Sequence, residues 1–159
     1  MIYVALIVFI GLYLNVVSSA EKIIYGCEGR GDANDPYLSR FTLLKSKKLK
    51  IYFHKFHRSD ADDLHDHPWN FVSIILWRGY NECTLNGGRN GLGKRTTNKK
   101  RCYPGMILYR PATWVHRVEL IKEKPAYTLV FTGDYVRYWG FIVDKGWQAF
   151  TEYFKENGC

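Results

Sequence analysis

Short apolar or alternating runs recur along most of the chain, at 41–44, 49–57, 71–77, 106–109, 115–121, 127–132 and 139–143. Each has strand length, and clusters of Gly, Pro, Asn or Asp separate most of them. Regular spacing of this kind predicts an all-β sandwich or barrel, with side chains alternating between its two faces. Lys45-Ser46-Lys47-Lys48-Leu49-Lys50 reads as a solvated hairpin turn, and Thr132-Gly133-Asp134 as another turn. Near the end Trp147, Phe150 and Phe154 recur at helical spacing, and Gly158 is placed to stop a short helix over one sheet edge.

The beginning follows another pattern. Residues 2–17 are apolar apart from Gly11 and Asn15, Ser18-Ser19-Ala20 follows, and no side-chain charge precedes Glu21. This resembles a secretory core and cleavage site without the usual positive start. The run is short for a membrane span of about 20 residues, yet the flanking Tyr3 and Lys22 suit an anchor through residues 2–17. Residues 1–20 are therefore expected to be a signal peptide or membrane anchor, and 21–159 one domain; a buried strand is the plainer alternative. A signal makes the protein secreted or membrane-anchored, and its absence cytoplasmic. Export would let the four cysteines form disulfides, whereas retention implies free thiols.

Composition narrows the function classes. The 159 residues suit one domain, and 47% hydrophobic content supplies a core and excludes wholesale disorder. The cysteines (Cys27, Cys83, Cys102, Cys159) contain no CxxC pair, which argues against a zinc ribbon or thioredoxin-type site. A net charge of +8 favours anionic surroundings. Residues 86–101 carry Arg89, Lys94, Arg95, Lys99, Lys100 and Arg101 without an acid. They could grip phosphate, but a soluble, mobile connection ranks ahead, and without interleaved aromatics nucleic-acid binding ranks last.

The histidines carry the chemistry. Of five (His54, His57, His65, His67, His116), His65-Asp66-His67 places two imidazoles on one face of an extended segment, a start for Fe, Zn, Ni or Cu binding. Asp60, Asp62, Asp63 and Asp66 crowd this stretch, either to support a metal or as an acidic surface loop. His54 and His57 have opposite parity, so at most one should face an interior.

Two spaced motifs resemble those of the cupins. His65-x-His67, four residues, Val72, six residues and Gly79 follow the first motif; Gly105, five residues, Pro111-x-Thr113, two residues, His116, three residues and Leu120 follow the second. Twenty-five residues separate Gly79 from Gly105. Val72 replaces the family's glutamate, Thr113 a glycine and Leu120 an asparagine, and Ser59 stands where the first motif opens on glycine. The segments 54–60, 65–69, 110–112 and 128–133 also resemble small cupin-like proteins of bacterial and viral genomes.

The resemblance implies a cupin-type jelly-roll barrel with a short C-terminal helix. It implies a divalent transition metal on His65, His67 and His116, similar to the three-histidine iron site of the thiol dioxygenase branch. Fe(II) is favoured, with Zn, Ni or Mn as alternatives. Such a site suits a small anionic, chelating substrate and dioxygen. Glu82 is the best replacement carboxylate or proton shuttle, ahead of Asp63 and Glu119, since Glu119 is oddly spaced from His116. Arg110 is the expected anion clamp, because alternation turns Arg117 outward. His57 is a candidate fourth ligand or acid/base, against a hydrogen-bonded surface role, and Tyr52, His54, Tyr127, Thr128 and Trp139 are candidate cavity linings. The expected function is a metal-dependent dioxygenase; the alternatives are a non-catalytic sugar- or nucleotide-binding cupin and a sugar isomerase or epimerase, which Val72 counts against. A homodimer is the expected assembly if the chain self-associates.

Overall fold

Alternating burial along the apolar runs builds strands whose inner faces close on one another. The computed structural model describes residues 22–61, 63–89 and 95–159; the segment read as a signal or anchor, Asp62 and residues 90–94 lie outside these. The strands are β1 (Lys22–Tyr25), β2 (Pro36–Lys45), β3 (Lys50–Phe56), β4 (Leu64–His65), β5 (Phe71–Trp77), β6 (Tyr80–Arg89), β7 (Arg95–Cys102), β8 (Ile107–Arg110), β9 (His116–Leu120), β10 (Ala126–Thr132), β11 (Gly140–Val143) and β12 (Gly146–Ala149). A helix, α1 (Phe150–Asn157), follows. Among the described residues no helix is long and apolar enough to cross a membrane.

The strands form two antiparallel six-stranded sheets, ordered β1-β2-β3-β10-β5-β8 and β12-β11-β4-β9-β6-β7. The chain passes from one sheet to the other between β5 and β6 through Arg78 and Gly79, both at positive φ. A Cβ on Gly79 would lie 2.1 Å from the Cys102 carbonyl oxygen, so only glycine fits this crossing. Leu38, Phe56, Ile75, Tyr80, Cys102, Leu108, Val118, Leu120 and Ala126 form a buried apolar cluster between the sheets. Beyond it the interior opens into a cavity of about 730 Å³.

Three expectations change. The basic stretch is not a free loop: β7 pairs with β6 from Tyr80↔Cys102 to Arg89↔Arg95. It carries no apolar alternation because it is an edge strand held by backbone bonds, and its charges discourage pairing with another chain. Trp147 belongs to β12, and the helix starts only at Phe150. The cysteines split, with Cys27 and Cys159 in a disulfide and Cys83 and Cys102 free and buried. The 45–50 reading agrees with the structure, where Ser46 and Leu49 bond across the β2–β3 turn.

Candidate metal centre

Backbone pairing brings the three motif histidines together. His65 ends β4 and lies directly opposite His116, the first residue of β9. His67 follows two residues later, its backbone N–H donating to the Ala112 carbonyl. Between them Asp66 is buried, neither a surface acid nor a metal ligand. It accepts hydrogen bonds from the Gly140 N–H at 2.7 Å, the Trp147 indole at 3.0 Å and Arg137. This staple fixes the backbone that carries both imidazoles.

The ring centroids are 5.0 Å apart for His65–His67 and His67–His116, and 5.3 Å for His65–His116. One nitrogen from each ring lies within 4.8 Å of the other two. The Nε2 atoms of His67 and His116 are 2.8 Å apart. Two nitrogens each about 2.1 Å from one ion, at right angles, would be about 3.0 Å apart, so this spacing suits adjacent ligands. Burial lowers His65 to about 4 and His67 well below the ordinary 6.5, leaving the neutral rings that a cation needs.

Behind His116 stands a closed polar network. Its Nδ1 lies 2.8 Å from Glu82 Oε1. Arg110 grips the same carboxylate through Nε, at 2.8 Å, and Nη2, and Trp114 Nε1 donates to it at 3.1 Å. Burial opposes the charge on Glu82, but the bonds from His116 and Arg110 prevail and hold it at about 2. An ionised carboxylate can only accept, so Nδ1 of His116 donates and, in the neutral ring, Nε2 offers its lone pair toward His67. The Glu82 carboxylate is therefore held as an acceptor by Arg110, Trp114 and His116. Arg110 is correspondingly engaged and is not free to clamp a substrate.

No protein-family model matches the chain, and no curated protein matches its sequence. Solved structures do resemble it. The DMSP lyase DddQ from Ruegeria pomeroyi DSS-3 aligns with a TM-score of 0.51 and 17% identity, over 74% of this chain and 57% of the lyase. A cupin domain from Bordetella pertussis Tohama I aligns at 0.47 and 12%, over 62% and 94%. KdgF from Halomonas sp. aligns at 0.48 and 17%, over 65% and 85%. The fold is that of the cupins. These likenesses concern fold alone, and the chain spans little more than half of the lyase's length.

The structure also corrects the cupin motif reading. Phe71 and Ser73 line the cavity and Val72, between them, faces away, so the interior position of the missing glutamate belongs to Phe71. Its ring stands edge-on to His67 at 4.7 Å. Among the described residues the group able to hold a metal consists of the three histidines alone. Glu119 bonds Lys99 and Asn81, and Asp63 accepts from Tyr153. Asp60 accepts from Tyr37 and the Val118 N–H and stands 4.0 Å from His65 Nδ1, too far for a hydrogen bond.

His57 is not at the site. Its Nε2 is 2.8 Å from Ser39 Oγ and it does not line the cavity. His54, of opposite parity, faces inward, and with Tyr52, Thr128 and Trp139 it lines the cavity, whereas Tyr127 packs against Phe53 outside it. Sequence reasoning missed Arg40, which lines the cavity and donates from Nε to His54 Nε2 at 3.1 Å. Its only signal was even spacing from the buried Leu38, legible once β2 is known to pair with β3.

Proposed function

We propose that this cupin is a metal-dependent enzyme acting on a small anionic substrate, with Fe(II) on His65, His67 and His116 and dioxygenation as its reaction class. The observation that carries the reading is the Glu82–His116–His67 line. A buried carboxylate orients one imidazole so that its other nitrogen meets a second ring within 2.8 Å, as carboxylates bonded to the far nitrogen of a metal-ligating histidine do. The donor set fits a divalent ion, because the rings converge, burial keeps His65 and His67 neutral, and Phe71 leaves the carboxylate position without a ligand. A ferrous ion with three protein ligands supplies open positions for a chelating substrate and electrons toward dioxygen.

The chain's own residues do the rest. Glu82, fixed by Arg110 and Trp114, keeps the proton of His116 on Nδ1. Phe71 and Phe141, 4.7 Å from His67 and 5.8 Å from His65, present apolar edges that keep water from that side of the cluster. The Cys27–Cys159 disulfide supports export, with residues 1–20 as the signal, because such bonds persist in oxidising compartments. Iron-loaded protein offered small carboxylated thiols and diketones should consume oxygen, and His116→Ala should abolish the uptake. Failure to bind iron, or uptake that survives His116→Ala, would overturn the reading.

A further inference from the structure

Three arginines line the cavity, and their neighbours differ. Arg30 and Arg58 lie 3.4 and 2.8 Å from Asp32, so both are paired within the fold. Arg40 has no carboxylate within 4 Å among the described residues; its partners are the His54 ring and the face of Tyr52, 5.0 Å away. Burial lowers its pKa, and burial and the Arg40 charge together hold His54 at about 3, so the imidazole offers no compensating charge. A half-buried guanidinium without a counter-charge is costly unless something else completes it.

The surroundings show what would complete it. Arg40 pairs with His54 across β2 and β3, and His54 with Thr128 across β3 and β10, so the three form one row on the inner face of the sheet. The Thr128 side chain is fully buried and, among the described residues, its hydroxyl has no hydrogen-bond partner. Thr132, further along the same face, is likewise buried and has no partner among the described residues. A buried hydroxyl left unpaired has lost its hydration without a replacement bond, a cost that a ligand accepting from it would remove. The row faces the cavity that also holds the histidine cluster, and the Arg40 charge is felt at His67.

We infer that Arg40, with His54 and Thr128, is the subsite for the carboxylate of a small molecule whose other end reaches the histidine cluster. This rests on the metal reading only for that other end. One guanidinium beside a neutral imidazole and a hydroxyl matches the single charge and two oxygens of a carboxylate; a phosphate dianion would leave charge uncompensated. Arg40 thus takes the role that the sequence assigned to Arg110.

Metal-free, full-length protein can be titrated calorimetrically with butyrate, its neutral isostere butyramide, and inorganic phosphate. Butyrate should bind about tenfold or more tightly than butyramide, since a hydrogen bond to a charged group is worth that much. Arg40→Gln should erase the preference, and Thr128→Val should weaken butyrate severalfold without lowering the thermal midpoint. If Arg40→Gln does not fold, Arg40→Lys, which keeps the charge but not the planar fork, decides with Thr128→Val. Equal binding of butyrate and butyramide by the wild type, tighter binding of phosphate, a preference surviving in folded Arg40→Gln, or one unchanged in both Arg40→Lys and Thr128→Val would overturn the assignment. Metal content measured after the same protein is dialysed against Fe(II) separates the two readings: a butyrate preference in protein that then takes up no metal contradicts the metal centre alone.

Discussion

Arg110 and Arg40 stand toward opposite edges of one sheet, on β8 and β2, and the fold treats them oppositely. Arg110 meets a buried carboxylate that also holds His116 and Trp114, so its charge is consumed in setting the direction of one imidazole. Among the described residues Arg40 meets a neutral ring and an aromatic face and no carboxylate. The difference teaches that an arginine near a cavity is a candidate anion site only when the protein has not already supplied its anion. That partner is read from strand register, not from the arginine.

The sharpest way to break the comparison is to remove Glu82. Glu82→Leu strands Arg110 and the His116 donor in a buried setting, and unfolding in denaturant should show a loss of about 3–5 kcal/mol. Competition against a chelator should show metal affinity falling about 10–100-fold. Adding Arg110→Met should restore much of the stability but not the affinity, because the lone charge is gone while His116 still lacks its orienting carboxylate. A loss below about 1 kcal/mol in the single variant would mean that the network is not a closed one.

A smaller contrast comes from pH. His54 is held at about 3, by burial first and then by Arg40, against an ordinary 6.5. Its folded value is lowered, so as pH falls below about 6.5 the unfolded chain takes up a proton that the folded chain does not. Stability of the metal-free protein should therefore fall with pH in that window, by up to about 1.4 kcal/mol per pH unit from this group. His54→Phe should reduce the slope between pH 6.5 and 4.5 without abolishing it, because the buried His65 and His67 contribute in the same direction over that range. An equal slope in both proteins would contradict a buried, neutral His54.

Arg40→Met should then change the stability of the metal-free protein by no more than about 1 kcal/mol in either direction, because the lost bond to His54 is offset by relief of an uncompensated charge. Denaturant midpoints compared with those of Glu82→Leu measure this directly, and a loss as large as the Glu82 variant's would show an internal counter-charge for Arg40. The smallest effect is expected of Trp114→Phe. It removes one bond to Glu82, worth about 1 kcal/mol in thermal unfolding, and keeps an aromatic face for the Arg110 guanidinium, now 4.8 Å from the ring.

How much of this was legible in the chain depended on range. The His65–His67 pair and the distant His116 could be read because ligand type and motif spacing are local properties. The strands 49–57, 71–77 and 127–132 could be read because each alternates against a buried face. The fourth-ligand position was misplaced by one residue, to Val72 instead of Phe71, and in a strand one residue exchanges inside for outside. Glu82 was noticed, but its meeting with His116 was not legible, because it follows from pairing Glu82↔Val118 and Thr84↔His116 across β6 and β9. Arg40 was missed for the same reason, its row being assembled from three strands far apart in sequence. The disulfide needed the segments around Cys27 and Cys159 to be neighbours, as the Glu28 N–H to Gly158 carbonyl bond makes them, and four cysteines alone permit three pairings.

Three histidines that form one metal centre should gain and lose an ion together. Metal-free protein dialysed anaerobically against Fe(II), and separately against Zn(II), then analysed for metal content, tests this most directly. One ion per chain is expected in the wild type and none in a His65→Ala, His67→Ala, His116→Ala triple variant that remains folded. A wild type that retains no ion, or a folded triple variant that retains as much as the wild type, would contradict it.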